Sequence, residues 1–321
     1  TLPKRIHIIE TPTSNSQANG IIKLIESLCD SHTKVSLNNN THRVFSASNT
    51  LQRIRNAPYF LGALDIDGLR NEISTKPVVI VSPGPSLSKN IEVLKANESK
   101  GLIVAVAQSV PALLKHNVQP DYVVVLDSQD YSGILEGLSY EKTTGIFIDT
   151  VHESFLKYPF RQIAINFSCN SPSQFTDGLG ARRVTIDGGS VSVFAFNLMV
   201  YLNASSVGMI GQDLSVGNKN YYVGDGWNSF YTEEENLIKD DEVNWNKKPK
   251  WTLKGYYGGT VFTRGDYWIY HAQLVTSAKN IKKLAGQIGI YNCTEGGAFI
   301  DGFEHVTLEH FFLNVGDPDL V

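Results

Sequence analysis

Long apolar runs are scarce in this 321-residue chain. The strongest, around Val191 to Leu202, is too short and too interrupted to cross a bilayer, so no membrane span is expected. An excess of one charge is also missing. Lys and Arg number 28 against 32 Asp and Glu, for a net of −4, which gives no broad cationic field for nucleic acid or anionic lipid. Cysteine is rare: Cys29, Cys169 and Cys293 lie far apart with no paired metal-type spacing, so reduced thiols and a cytoplasmic setting are expected rather than a disulfide framework. No secretory signal opens the chain, and its first residue is Thr1 rather than Met, which is consistent with a piece of something longer. Internal repeats and low-complexity tracts are absent from the sequence. What is present, 42% hydrophobic residues, suffices for one large core or two modest ones.

Residues 1–75 read as a small leading α/β unit, with a strand-like IHII, a helix-like GIIKLIESLCD, the polar SLNNNTHR and a second helix at SNTLQRIRNA. From Lys76 to the end the pattern changes to short continuous apolar runs alternating with helix-like segments, as in parallel strands buried on both faces. The strand candidates are VVIVS (from Val78), LIVAVA (Leu102), YVVVLD (Tyr122), GIFID (Gly145), QIAIN (Gln162), RVTID (Arg183), SVGMIG (Ser206) and IGIYNC (Ile288). The expected fold class is α/β, a Rossmann-like wound and mostly parallel sheet with a small N-terminal subdomain and a lid-like insertion. The segment VSVFAFNLMVYLN is apolar nearly all round and predicts a central helix packed on the sheet. Residues 214–258 are polar, aromatic and charged with no clean period, which reads either as a lid over a site or as a surface excursion.

In an open parallel sheet the ligand binds beyond the carboxyl ends of the strands. After the VVIVS strand comes Ser82-Pro83-Gly84-Pro85-Ser86-Leu87, in which Gly84 allows close backbone approach and Ser86 offers a helix cap or a phosphate ligand. It is neither a GxGxxG nor a Walker loop. A second turn, Asp187-Gly188-Gly189-Ser190, feeds the apolar helix, with Ser190 as cap or ligand. Asp127, Asp149, Asp187 and Asp213 punctuate the same strand ends. Singly they are turn or cap residues. Together, carboxylates at one rim could bind ribose hydroxyls, hold a divalent ion or serve as a general base. Gln108, Gln129 and Gln212 add amides able to read a base or a sugar.

The ordered set VVIVSPGPSL, QPDYVVVLDSQ, DGGSVSVFAFNLMVYLNASSVGMIGQDLS and NCTEGGAFIDGFEH, between about Lys76 and His310, resembles the central domain of the motility-associated factor (Maf) flagellin glycosyltransferases. That domain is similar to the bacterial sialyltransferases that use CMP-sialic acid and, more distantly, to archaeal hydroxymethylpterin pyrophosphokinases. The resemblance implies that Gly84, Ser86, Gly188, Gly189 and Ser190 hold a CMP moiety, with Gln108 and Asp127 around the nucleotide; the strand-end position of Gln212 adds it to the expected nucleotide site. Asp213 matches the acid of the family's GxD segment. The catalytic His of the sialyltransferases has no counterpart: the comparable stretch reads GYYGGTVFTRGDYW. The base would then be Asp213, Asp127 or Glu295, with His152 and His305 behind them. Glu295, Gly296 and Gly297 follow the last strand and either complete the site or form a structural turn. Tyr221, Tyr222, Tyr256 and Tyr257 flank the lid-like segment and either meet ligand or pack.

Three functions follow as expectations from the resemblance. The first is transfer of a nonulosonic acid (pseudaminic, legionaminic or sialic) from a CMP-sugar donor to Ser or Thr of flagellin. The second is Mg²⁺-dependent diphosphate transfer from ATP to a pterin alcohol. The third is a flagellin-binding module that has lost catalysis.

Overall fold

The structure is a computed structural model and describes residues 47–167, 186, 188–216, 251–284 and 288–315. The chain divides into two units, Thr1–Asn49 and Thr50–Val321, and the second contains the sheet.

Nine strands form that sheet in the order β1-β6-β5-β4-β3-β2-β7-β10-β11, and every pairing in it is parallel. The strands are β1 (Leu64–Asp65), β2 (Pro77–Val81), β3 (Leu102–Val106), β4 (Tyr122–Val125), β5 (Thr144–Ile148), β6 (Gln162–Asn166), β7 (Ser206–Ile210), β10 (Gly289–Asn292) and β11 (Glu304–His305). The continuous apolar runs have a direct cause. Side chains alternate between faces along a strand, and here both faces are covered. Val79 and Val81 enter one core with Ile103, Val123, Val125 and Phe147, while Val78 and Ile80 enter the other with Val104, Val124 and Ile146. The first core is closed by the helices Leu87–Ala96 and Leu308–Val315, through Leu87, Ile91, Leu94, Phe311 and Phe312. The second is closed by Val191–Tyr201 and Gly265–Leu284, through Phe194, Phe196, Leu198, Met199, Leu274 and Ala278.

From β2 the chain winds outward through β3, β4, β5 and β6, then returns by the helix Val191–Tyr201 to place β7 on the opposite side of β2. The direction of winding across the sheet therefore reverses between β2 and β7, which stay parallel. At such a switch point the loops leaving neighbouring strands diverge to opposite faces and open a crevice.

Seven of the eight expected strands lie in this sheet; the eighth, RVTID, lies outside the described residues except for Ile186. Residues 64–73 pack with the sheet. Leu64–Asp65 pairs with Ala164–Ile165 of β6, and Ile66, Leu69 and Ile73 are buried in the second core. The lid-like segment lies mostly outside the described residues, as do Tyr221 and Tyr222. Its described end contributes β8 (Thr252–Lys254) to an antiparallel hairpin with β9 (Thr260–Phe262), and Val216 N–H, at its start, donates to Phe262 O at 2.9 Å.

Candidate functional site

A cleft of about 310 Å³ opens at the β2/β7 switch point. Five segments line it: Ser82–Gly84 after β2, Gln108 after β3, Asp127 after β4, Gly189–Ser192 at the start of the apolar helix, and Gly211–Ser215 after β7. Asp266, Tyr267 and Tyr270 of the helix Gly265–Leu284 complete the wall. Its carboxylates among the described residues are Asp127, Asp213 and Asp266, and no described Lys, Arg or His lines it.

Asp213 is the most constrained of the three. Its Oδ2 accepts from Ser86 Oγ at 2.7 Å and from Ser86 N at 3.2 Å, and its carbonyl accepts from Ala298 N at 2.7 Å. Gly84 is needed next to it, because a Cβ at that position would overlap Asp213 Oδ2 and Gly211 O. Gly297, at φ +66°, has the same role from the other side, where a Cβ would overlap the Asp213 backbone. Leu214 sits at φ +50°, a left-handed conformation that costs a branched apolar residue about 1–3 kcal/mol and persists only where its surroundings enforce it. Burial pushes the Asp213 carboxyl above the usual carboxylate range. The Ser86 hydroxyl, the Ser86 amide and the Lys89 charge pull the other way without overcoming it.

Around this acid the polar groups are ordered. Ser82 Oγ donates to Gln212 Oε1 at 2.7 Å, and Gln212 N donates to Thr294 Oγ1 at 3.2 Å. Asp127 Oδ2 accepts from the Tyr131 hydroxyl, and its carbonyl from His152 N at 3.0 Å. Ser190 caps the apolar helix, its Oγ accepting from Val193 N at 3.3 Å, while the Gly189 amide donates to Gln273 Oε1 at 3.1 Å. Gly188 packs against Phe194 beneath the turn, outside the lining. Gln108 is half-buried in the wall with no hydrogen-bond partner among the described residues, so its amide is available to a ligand.

The structure thus brings together Gly84, Gln108, Asp127, Gly189, Ser190, Gln212 and Asp213, and places other expected residues elsewhere. Ser86 does not line the cleft and makes no side-chain cap bond to its own helix; its hydroxyl is committed to Asp213. Glu295 does not line it either. Its Oε1 accepts from Asn90 Nδ2 at 2.9 Å and Leu308 N at 3.1 Å, tying the last helix to the sheet, so it is poorly placed to act as a base in the cleft. Asp149 is fully buried and paired with Arg53 at 2.8 Å. Asp187 lies outside the described residues. His152 caps the short helix Glu153–Leu156, with Nδ1 2.8 Å from Ser154 Oγ. His305 stacks on Phe299 and accepts from Ile300 N; burial holds its imidazole below the usual range. Tyr256 donates to Val306 O at 3.0 Å, and exposed Tyr257 to Glu295 O at 3.1 Å. Gln129 is exposed and off the wall. Asp266, Tyr267 and Tyr270 escaped sequence reasoning, because a helix on the far side of the chain brings them to the switch point. The one signal was that Asp266 and Tyr267 fall in the stretch GYYGGTVFTRGDYW, compared for a His; Tyr270 lies beyond it.

Among the described residues no three His, Cys, Asp or Glu side chains gather around a common point for a metal ion. None of the described helices is long and apolar enough to cross a membrane.

Fold and cleft together define a wound parallel α/β protein with a polar, acid-lined crevice at its switch point, the place where such sheets receive nucleotide-type ligands. A family model described as "6-hydroxymethylpterin diphosphokinase MptE-like" matches residues 51–219, more than half of the chain, and the chain belongs to this MptE-like family. Among solved structures it is similar to the Maf glycosyltransferase of Magnetospirillum magneticum AMB-1, with 17% identity and a TM-score of 0.57 over 80% of this chain and 38% of that one. That likeness shows a shared fold, and the chain corresponds to well under half of the Maf protein's length. No curated protein matches the chain.

Proposed function

We propose that the chain is a transferase acting on a nucleotide-activated donor in the β2/β7 cleft, and that the group moved is a nonulosonic acid carried by CMP. The observation that supports this most is Asp213, a carboxyl anchored through one oxygen at the switch point, raised in pKa, with Gln108 and Asp127 on the facing wall. Fold likeness to a Maf glycosyltransferase supports the glycosyl reading. In the proposed reaction Asp213 takes the proton from the acceptor hydroxyl as its oxygen bonds to the anomeric carbon. The bond from that carbon to the donor phosphate breaks, and CMP leaves with the electron pair. A raised pKa suits Asp213 to this role, because a stronger conjugate base accepts the proton more readily. The leaving phosphate belongs at the start of the helix Val191–Tyr201, where first-turn N–H groups and the helix dipole offer positive potential that the acidic wall lacks. Ser or Thr hydroxyls of flagellin are the proposed acceptor.

A second reading rests on the family match and on the charge of the cleft. Diphosphate transfer from ATP to a pterin alcohol needs the triphosphate neutralised, and the described residues of this wall include carboxylates and no basic side chain. Such oxygen donors suit Mg²⁺, which is commonly held by one or two carboxylates together with substrate phosphates and needs no cage of protein ligands. Asp127 and Asp213 would hold the ion, which would supply charge neutralisation. Calorimetry separates the two. Binding of CMP and CMP-sialic acid without Mg²⁺ supports glycosyl transfer; binding of ATP only with Mg²⁺, with AMP released when a pterin alcohol is added, supports the second reading and overturns the first.

A further inference from the structure

The backbone leaving β7 is tied down on both sides of Asp213. Gln212 N donates to Thr294 Oγ1 at 3.2 Å, and Asp213 O accepts from Ala298 N at 2.7 Å. Leu214 O accepts from Thr263 Oγ1 at 2.7 Å, and Val216 N donates to Phe262 O at 2.9 Å. Two side-chain groups of this segment are left over. Ser82 Oγ donates to Gln212 Oε1 at 2.7 Å and so fixes the amide, whose other end, Nε2, has no hydrogen-bond partner among the described residues. Ser215 Oγ has none either. Both residues line the cleft, and each is only 5% exposed. Asn292 Nδ2 and Ser206 Oγ are also without partners, but they are sealed from solvent. Gln212 Nε2 and Ser215 Oγ are not sealed, and the open space their residues border is the cleft. Nearly buried polar groups are ordinarily paired, so two that face a cleft unpaired mark a place where a ligand supplies the partner.

We propose that Gln212 and Ser215 form a neutral subsite that holds oxygens of the transferred sugar, Gln212 Nε2 donating to a hydroxyl or carbonyl oxygen and Ser215 Oγ bonding to a second. The inference deepens the reading of the cleft as a glycosyl-transfer site and rests on it. Charge selects the class of occupant. Asp127, Asp213 and Asp266 share this wall with no described basic side chain, so an anionic group seated here meets like charge, whereas the hydroxyl and amide oxygens of a sugar do not. Position selects the part of the donor. Gln212 and Ser215 flank Asp213 in the chain, so what they hold lies beside the acid that takes the proton, away from the helix start assigned to the phosphate. A site built to hydrogen-bond one oxygen of its ligand discriminates strongly against ligands that lack it, which makes these two residues determinants of donor choice.

Calorimetry with CMP and with CMP-sialic acid, both without Mg²⁺, reads the sugar contact as the ratio of the two affinities. Gln212→Met removes the amide at similar volume without adding charge, Ser215→Ala removes the hydroxyl, and a thermal melt of each reports folding; Gln212→Asn, which shortens the reach of the amide, replaces Gln212→Met if that variant does not fold. Wild type is expected to prefer CMP-sialic acid. Each variant should lower that preference about fivefold to tenfold, the worth of one ligand hydrogen bond, and change the affinity for CMP by less than about twofold. A wild type with no preference, a ratio unchanged in the folded variants, or CMP affinity falling in step with that for CMP-sialic acid overturns the subsite and leaves the nucleotide reading of the cleft standing. A wild type that binds neither ligand removes that reading and the subsite with it, so the two failures are told apart.

Discussion

Asp149 and Asp213 both follow parallel strands of one sheet, at its carboxyl edge, and they have opposite fates. Asp149, beyond β5, is fully buried. Its Oδ2 is paired with Arg53, while its carbonyl and that of Val151 accept from Asn56, so these groups fasten the helical residues 50–60 to the sheet. Asp213, beyond β7, is held at Oδ2 by Ser86 and borders the cleft. The difference comes from topology. Around β5 the winding continues in one direction, and Arg53 and Asn56 cover the strand end; between β2 and β7 it reverses, and the described residues leave a cleft there. An acid at a strand end is thus a candidate for chemistry only where the sheet leaves it an open side.

This contrast can be broken at either acid. The largest effect is expected at the closed one: Arg53→Ala should cost about 3–5 kcal/mol in urea unfolding, the usual penalty for removing a partner from a buried charge, while a folded fraction keeps whatever nucleotide affinity the wild type has. Next comes Gly84→Ala, whose added Cβ collides with Asp213 Oδ2 and the Gly211 carbonyl. Overpacking of this kind should cost about 1–3 kcal/mol and, unlike Arg53→Ala, should abolish binding in the cleft, as calorimetry would show.

A smaller effect with a definite sign belongs to Asp213 itself. Its folded pKa lies above the unfolded value, so the native state binds the extra proton, and stability falls as pH rises from about 4, the carboxylate reference, through the folded midpoint. Asp213→Asn should flatten that part of the stability profile measured by urea midpoints, and should lower transfer activity far more than it changes stability. The smallest effect is expected at Tyr257, 77% exposed with its hydroxyl on the Glu295 carbonyl, where Tyr257→Phe should shift the melting curve by no more than about 0.5 kcal/mol.

The parallel strands were legible because burial on both faces leaves an apolar run with no polar alternation, as at Val78–Val81. β1, β8, β9 and β11 were not, since two or three residues carry no period and owe their pairing to tertiary neighbours. In the site, strand-end logic located Asp127, Gln212 and Asp213. It could not tell that Ser86 would spend its hydroxyl on Asp213, or that Glu295 would turn to Asn90 and Leu308, because those partners stand far away in the sequence. For the same reason Asp266 and Tyr270 arrive from a helix that carries no motif.

The most direct test of the central claim is a crystal structure of the protein soaked with CMP. Nucleotide is expected in the β2/β7 cleft, its phosphate at the Ser190–Ser192 helix start and its ribose near Asp127 or Gln108. Nucleotide bound elsewhere, or a phosphate seated against Asp213 with no cation between them, would contradict it.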